Sequence, residues 1–256
     1  MRPALLLTRM ASDNQRLVAK LQARGVSTCC LPLLRIEPET ESAYQRGLML
    51  DLDRYQAVVS VSPVAARLGL ERLDRYWPQV PVGIDWFAVG ESTAGVLREF
   101  GLLAQAPECG QDSEALLQLP RWQLLLAKPQ LKVLIWRGAG GREHLASRIR
   151  AAGGQVDYLE LYQRLPADNL PQSINAAREA GVRGIVVLSI QALEYWQQAA
   201  TEDWSWQRTW RCWVPSERVA TRAAELGCED IIVCNGADDE AVIAAIMAHP
   251  LTAQGE

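Results

Sequence analysis

Three segments in the first half of the chain recur in the same order about 128 residues later. Leu5–Arg9 (LLLTR) matches Val133–Arg137 (VLIWR) at an offset of 128. Ala57–Ser62 (AVVSVS) matches Gly184–Ser189 (GIVVLS) at an offset of 127. The third match has an offset of 126 and aligns Glu91, Ala94, Glu99 and Gly101 with Glu217, Ala220, Glu225 and Gly227. In a chain of 256 residues, an offset close to half the length predicts a duplication into two similar lobes.

Short apolar runs alternate with stretches of helical periodicity along the whole chain. Runs such as Ile185–Leu188 and Ile231–Cys234 are apolar at successive positions, which is typical of strands that helices cover on both faces. Strands that alternate with helices of about 10–15 residues indicate βαβ units. The pattern therefore predicts an α/β fold of two parallel-sheet α/β/α lobes. The predicted strands are Ala4–Thr8, Val26–Leu31, Ala57–Val61, Ile84–Val89, Leu102–Ala106, Leu131–Trp136, Gln155–Leu159, Gly184–Leu188, Cys212–Val214 and Ile231–Cys234.

The composition excludes several classes of protein. Hydrophobic residues make up 49% of the chain and charged residues 22%, which argues against intrinsic disorder. The apolar runs are far shorter than the roughly 20 residues that span a bilayer. The run before Arg9 is also shorter than the apolar core of about 7–15 residues in a signal peptide. We therefore expect a cytoplasmic protein without membrane contact.

The charge distribution and the metal-binding residue types narrow the expected partners. The net charge is −4, and no extended cluster of Lys and Arg indicates nucleic-acid binding. The two histidines, His144 and His249, and the absence of a CxxC pair predict no metal site and no histidine-based triad. The expected partner is a small molecule, and the expected state is a monomer. We expect the six cysteines to be small buried side chains; they are Cys29, Cys30, Cys109, Cys212, Cys228 and Cys234.

Two extended segments occupy equivalent places in the two halves. Leu31–Pro38 and Leu159–Pro166 each alternate apolar and polar residues, and each ends at a proline that stops a strand. The two segments could pair as a ribbon between the lobes, with the chain leaving the first lobe early and returning to it later. The pattern is equally compatible with two consecutive lobes of about 128 residues.

Hydroxyls, glycines and arginines follow the predicted strands. Ligands of open parallel sheets bind beyond the carboxyl ends of the strands, where helix N-termini attract anions. Two lobes that face each other would present two rows of donors across a cleft, which suits a ligand with several negative charges. The candidate binding residues are Thr8, Arg9, Ser60, Ser62, Gly90, Ser92, Thr93, Arg137, Gly138, Ser189, Ser216 and Arg218.

Each candidate also has a purely structural interpretation. Serine and threonine at a strand–helix junction are ordinary N-caps. Arg9 and Arg137 stand at equivalent repeat positions, so they could form equivalent structural ion pairs. The turn 138–141 (GAGG) resembles a phosphate-binding turn but lacks the full spacing of one. The tryptophans between 204 and 213 could form an aromatic cage or simply pack in the core.

A set of motifs in a fixed order resembles the uroporphyrinogen-III synthase family. The motifs cover nearly the whole chain and read LLLTR, PLLRIEP, VVSVSPVA, FAVGESTAGVLREFG, DSEALLQL, VLIWRGAGGREHLASRIRAAGGQV, LELYQR and WVPSERVATRAAELG. Two positions depart from the family pattern. Met10 replaces the usual proline after the first arginine, and Leu188 replaces a small polar residue.

The resemblance implies a fold and an activity. The family has two α/β lobes joined by a two-stranded linker, which favours the ribbon over consecutive lobes. The implied limits are 1–34 with 167–256 for the first lobe, 38–157 for the second, and 35–37 with 158–166 for the ribbon. The implied activity is the conversion of hydroxymethylbilane, a linear tetrapyrrole with eight carboxylates, to uroporphyrinogen III. Water is lost, ring D is inverted and no metal or organic cofactor is used.

One residue is implied to act in catalysis. Tyr162 in LELYQR matches the family tyrosine proposed to protonate the departing hydroxyl, although it could also be a packed linker aromatic. Two other classes stay open at this point. One is a non-catalytic two-lobed protein that binds a small anion, and the other is a nucleotide-dependent transferase that uses the turn 138–141.

Overall fold

The computed structural model describes residues 4–108, 113–141 and 143–251. Its strands are β1 (Ala4–Leu7), β2 (Thr28–Cys30), β3 (Leu34–Pro38), β4 (Ala57–Ser60), β5 (Asp85–Ala88), β6 (Ala104–Gln105), β7 (Lys132–Gly138), β8 (Gln155–Pro166), β9 (Val182–Val186), β10 (Arg211–Val214) and β11 (Asp230–Val233).

Helices separate nearly all of these strands. They are α1 (Ala11–Gln22), α2 (Ala43–Leu50), α3 (Pro63–Tyr76), α4 (Glu91–Glu99), α5 (Ser113–Leu117), α6 (Pro120–Leu126), α7 (His144–Ala151), α8 (Leu170–Glu179), α9 (Ile190–Ala200), α10 (Trp204–Gln207), α11 (Glu217–Glu225) and α12 (Asp239–Ala248). Among the described residues, no helix combines the length and apolar character that crossing a membrane requires.

The chain divides into two compact units, each with its own sheet. Unit 1 is Met1–Arg35 with Leu165–Glu256, and unit 2 is Ile36–Arg164. The sheet of unit 1 has the strand order β11-β10-β9-β1-β2, and the second sheet has the order β3-β8-β7-β4-β5-β6. All neighbouring strands of the first sheet are parallel. In the second sheet, the neighbouring strands of the part β8-β7-β4-β5-β6 are parallel. The predicted α/β class with parallel sheets is confirmed.

The duplication predicted from the sequence extends to the register of the strands. Leu5 pairs with Thr28 in unit 1, and the residues 128 positions later, Val133 and Val156, pair in unit 2. The other matching pairs are Gly184–Leu5 with Ala57–Val133, Gly184–Arg211 with Ala57–Asp85, and Cys212–Ile231 with Trp86–Ala104. The order β6-β5-β4-β7-β8 of unit 2 thus repeats as β11-β10-β9-β1-β2 in unit 1. Unit 1 is a circular permutation of unit 2, because its β1 and β2 come from the start of the chain.

Each central strand is buried on both faces. In β4, Val58 packs with α2, α3 and α4, whereas Ala57 and Val59 pack with α5, α6 and α7. In β1, Leu6 packs with α8, α9 and α11, whereas Leu5 packs with α1 and α12. Successive strand residues point to opposite faces, so burial on both sides requires an apolar residue at every position. This explains the unbroken apolar runs of the sequence.

The two segments predicted to pair as a ribbon are neighbours. The strands β3 and β8 lie side by side in the second sheet. They run in opposite directions, because the amide of Ala167 donates to the carbonyl of Leu33 and the amide of Glu39 donates to the carbonyl of Leu161. The divisions between the units, after Arg35 and after Arg164, fall within these two strands.

The predicted burial of the cysteines is confirmed for only some of them. Cys212, Cys228 and Cys234 are buried and Cys29 is partly buried, but Cys30 is exposed, so the prediction was wrong for Cys30. The reason is that β2 is the last strand of its sheet, and its final residue has no strand on its outer side. Cys109 lies outside the described residues.

Candidate active site

Two of the candidate serines cap helices. Ser62 Oγ accepts a hydrogen bond from the amide of Ala65 at the start of α3, at 3.1 Å. Ser189, its repeat equivalent, accepts from the amide of Ala192 at the start of α9, also at 3.1 Å. Both serines are therefore N-caps, and both units of the duplication have this cap.

The helices that follow the neighbouring strands begin without a side-chain cap. Gly90 precedes α4 and Ser216 precedes α11, and neither makes a side-chain cap hydrogen bond. The two positions are repeat equivalents, at an offset of 126. Uncapped first-turn amides and the helix dipole favour a negative charge beside them. Ser92 and Arg218, which are also repeat equivalents, are exposed within these first turns.

Other candidate hydroxyls lie inside the units. The Thr8 hydroxyl donates to the carbonyl of Val186, and the Ser60 hydroxyl donates to the carbonyl of Ser62 at 3.3 Å. Thr93 is 2% exposed. The Thr8 and Ser60 hydroxyls thus bond to the backbone at the carboxyl ends of the strands. All three side chains are buried, so they offer less to a ligand than Ser92 or Arg218.

Arg9 follows β1 and is bound by acidic and carbonyl oxygens of the same unit. Its guanidinium donates to Asp239 Oδ1 at 2.6 Å and to the carbonyl of Ala237. Asp239 is 7% exposed and also binds Arg16 and Lys20. Burial alone would raise the pKa of Asp239, but the hydrogen bonds from these three cations outweigh it and lower the pKa to about 2.

Arg137 at the end of β7 is also bound by acidic side chains, although its partners differ from those of Arg9. It donates to Glu160 Oε1 at 3.0 Å and to Glu143 Oε1 at 2.8 Å, and its Cζ lies 3.8 Å from the centroid of the Tyr158 ring. Burial lowers the pKa of Arg137, but the two carboxylates outweigh this effect, so the pKa is raised. Both repeated arginines thus form the structural ion pairs that were the alternative to substrate binding. The sequence indicated equivalent arginines, but it contained no signal for their acidic partners.

Tyr162 lies in β8 among the buried residues of unit 2. Its side chain is 1% exposed, and its hydroxyl is 3.1 Å from Ser62 Oγ and 3.3 Å from Arg164 Nη2. Its ring lies on Gly138 at the end of β7, where an added Cβ would be 2.7 Å from ring atoms Cε2 and Cζ. The structure therefore brings together three predicted site residues, Ser62, Gly138 and Tyr162. Arg164 was missed, although it stands in the quoted LELYQR motif.

The aromatic cage and the phosphate turn receive no support. Trp196 contacts both Trp204 and Trp210, with ring centroids 4.9 and 6.0 Å apart, and Trp206 contacts Trp210 at 5.1 Å. These rings pack against each other and do not surround an open space. In the turn, the contact with Tyr162 accounts for Gly138 without a phosphate. Among the described residues, no group of three or more His, Cys, Asp or Glu side chains is arranged to hold a metal ion.

A known protein family matches most of the chain. The family model described as uroporphyrinogen-III synthase HemD matches residues 15–244. The chain belongs to this family. Relatives named uroporphyrinogen-III synthase come from Salmonella typhimurium, 33% identical over 255 residues, and from Escherichia coli, 33% identical over 254 residues. Each alignment covers 95% of this chain and 99% of the relative.

Solved structures of the family share the fold. A uroporphyrinogen-III synthetase from Helicobacter pylori aligns with a TM-score of 0.62 and 15% identity, covering 97% of this chain and 99% of that chain. A variant of uroporphyrinogen III synthase from Thermus thermophilus aligns with a TM-score of 0.60 and 15% identity, covering 96% and 98%. At this identity, the alignments support the two-lobed α/β architecture of the family.

Proposed function

We propose that the chain catalyses the reaction for which its family is named, the formation of uroporphyrinogen III. The observation that carries the proposal is the family match over residues 15–244, together with curated relatives aligned along nearly their whole length. The substrate is hydroxymethylbilane, and the products are uroporphyrinogen III and water. We expect the reaction to need neither a metal ion nor an organic cofactor.

The chemistry makes positioning the main task of the protein. The C–O bond of the hydroxymethyl group on ring A breaks, water leaves with one added proton, and an azafulvenium cation remains. The substituted carbon of ring D attacks this cation and forms a spiro intermediate. The bond between this ring D carbon and the methylene that joins it to ring C then breaks. That methylene bonds instead to the unsubstituted α-carbon of ring D, which loses its proton, so ring D is inverted. Without catalysis, direct closure gives the uninverted type I isomer, so the enzyme must hold ring D in one orientation.

The donors beyond the strands supply that orientation. We assign carboxylate binding first to the uncapped starts of α4 and α11, with Ser92, Ser216 and Arg218. Support comes from the helix dipole, the exposure of Ser92 and Arg218, and the eight negative charges of the substrate. Arg9 and Arg137 take an indirect part, since their guanidinium groups already bind Asp239, Glu143 and Glu160.

Tyr162 is our candidate for the acid that assists departure of water. Its hydroxyl has a proton to donate and lies at the carboxyl end of the second sheet, beside the start of α3. General acid help of this kind accelerates reactions by about 10²–10⁴-fold where it is well placed.

The proposed function also includes the oligomeric state and the cellular location of the chain. We propose a monomer that acts in the cytoplasm on a small molecule and binds no nucleic acid. The net charge of −4 supports the last point, and the free thiols of Cys29 and Cys30 suit a reducing compartment. Light scattering of the purified chain tests the monomer, and a mass of two chains would contradict it.

The test supplies enzymatically made hydroxymethylbilane and separates the type I and type III products. The chain should shift the product to type III, while buffer and heat-denatured chain give type I. Added EDTA should leave the type III yield unchanged. An isomer ratio equal to that of buffer contradicts the proposed function, and loss of type III with EDTA contradicts its cofactor independence.

A further inference from the structure

The backbone of Gly138 serves as a flat support for the Tyr162 ring. A Cβ built on Gly138 would be 2.7 Å from Cε2 and Cζ of the ring, which is closer than real Cβ contacts allow. Gly138 does not have the positive φ of Gly140 (+71°) in the same turn, so backbone conformation does not explain this glycine. The need for a glycine here comes from the tyrosine.

The hydroxyl at the far end of the ring is held by two further groups. Ser62 Oγ lies 3.1 Å from it, and Arg164 Nη2 donates to it at 3.3 Å. Ser62 Oγ is itself fixed, because it accepts the amide of Ala65 at the start of α3. With Arg164 occupying a lone pair of the phenol oxygen, the phenol proton points toward Ser62 or toward a ligand acceptor.

The duplication provides an internal comparison. The repeat equivalents of Gly138 and Tyr162, at an offset of 128, are Met10 and Leu34. The capping serine is present in both units, as Ser62 and Ser189, but only Ser62 lies beside a phenol. The unit that lacks the tyrosine also lacks the glycine. The glycine therefore accompanies the tyrosine and not the fold that the two units share.

We propose that Gly138 is a positioning residue for the reaction, which acts by setting the place of the Tyr162 hydroxyl. The inference rests on the proposed function and on Tyr162 as its acid. A methyl group at Gly138 would push the ring outward by about 1 Å to reach ordinary contact distance, and a shift of this size can cost up to about 100-fold in rate. The hydroxyl would then leave Ser62 and Arg164.

The experiment compares Gly138→Ala, Tyr162→Phe and the double variant with the wild-type chain. The matched control is Gly141→Ala in the same turn, where the nearest atom to a Cβ would belong to the Arg137 side chain, at an ordinary 3.5 Å. We expect kcat to fall at least about tenfold in Gly138→Ala and in Tyr162→Phe, with KM changed less than about twofold. The double variant should be no slower than Tyr162→Phe, because the glycine acts through the hydroxyl. Gly141→Ala should keep the wild-type rate.

A second readout does not depend on activity. In protein labelled with ¹³C at tyrosine Cζ, the Tyr162 signal is the one missing from Tyr162→Phe. It should move in Gly138→Ala and stay in place in Gly141→Ala. A wild-type rate in Gly138→Ala, an unmoved Tyr162 signal, or rate losses that multiply in the double variant would each overturn the positioning role. If the wild-type chain forms no type III product, the proposed function fails, and the NMR comparison still decides whether Gly138 sets the place of Tyr162.

Discussion

Tyr162 has a packing role that the structure shows and a chemical role that we propose. Its ring is buried against Gly138, while its hydroxyl reaches the edge of the sheet at Ser62 and Arg164. A packing role depends on the ring alone, whereas an acid needs the hydroxyl. Removal of the single oxygen therefore separates the two roles.

Tyr162→Phe should leave stability nearly unchanged and lower the rate of type III formation at least about tenfold. The isomer ratio of the enzyme-formed product should stay with type III, because the carboxylate contacts orient ring D. Thermal unfolding and product separation measure the two effects. A variant with the wild-type rate would reduce Tyr162 to a packing residue, and a variant that released mostly type I would give it an orienting role.

The two capping serines differ by one contact. Ser62→Ala and Ser189→Ala each remove an N-cap, which should lower the free energy of unfolding by about 1 kcal/mol in urea titrations. Ser62→Ala also removes one of the two hydrogen-bond partners of the Tyr162 hydroxyl, so this variant should lose catalytic rate as well as stability. An unchanged stability in both variants would show that solvent replaces the caps.

At the scale of elements, a carboxylate of α12 binds three cations, one in the loop after β1 and two in α1. Asp239 binds Arg9, Arg16 and Lys20 and is 7% exposed. Burial opposes its ionisation, but the three partners outweigh burial and hold its pKa at about 2, below the ordinary value of 3.8. A lowered carboxyl pKa stabilises the folded state above the unfolded pKa, and the contribution is lost as the pH falls from about 4 toward 2.

Asp239→Asn should therefore cost about 2 kcal/mol of unfolding free energy at pH 7, and the difference from wild type should shrink as the pH falls below about 4. Urea titrations at pH 7, 5 and 3.5 measure the difference. Glu240→Gln is the control, because Glu240 is exposed and pairs only with Lys20 among the described residues, so its cost should stay below about 0.5 kcal/mol. A difference for Asp239→Asn that does not change with pH would contradict the linkage.

The elements also show which features the sequence could reveal. The central strands were predicted because burial on both faces requires continuous apolar runs. The short β6 was predicted as Leu102–Ala106, but only Ala104–Gln105 pairs, since it is an edge strand with one neighbour. The helix α2 was missed although Ser42 and Gln45 form a capping box, a signal that can be read from the sequence. Acidic partners such as Asp239, which is 230 residues from Arg9, carry no local signal.

At the scale of the whole molecule, the duplication has kept strand order, register, the capping serines and the arginines after β1 and in β7, while other side chains at the strand ends have diverged. The register is common to both units because it is set by the buried faces of the strands. Among the positions that differ, the exposed Ser92 of unit 2 corresponds to the exposed Arg218 of unit 1, and Gly138, which is buried beneath the Tyr162 ring, corresponds to Met10. Candidate site residues could thus be found by position, but which of them are available to a ligand depended on partners that only the structure shows.

We expect substrate binding to be divided among several of these candidate donors. The proposed substrate has eight carboxylates, and the uncapped helices α4 and α11 each offer first-turn amides and one exposed side-chain donor, Ser92 or Arg218, so we expect no single donor to carry the whole of binding. Arg218→Gln should raise KM about three- to tenfold, because it removes a charge-assisted contact, and Ser92→Ala should raise KM less. The two side chains share no partner among the described residues, so their effects should multiply in the double variant while the product stays type III.

Steady-state rates with separated isomers measure these effects. Added salt should raise KM more in the wild type than in Arg218→Gln, because the variant has lost the charge that salt screens. A single substitution that abolishes activity without unfolding the chain would show a dedicated catalytic group at that position. An Arg218→Gln variant with wild-type KM and wild-type salt dependence would contradict carboxylate binding by α11. The binding of carboxylates would then be assigned to the donors of unit 2.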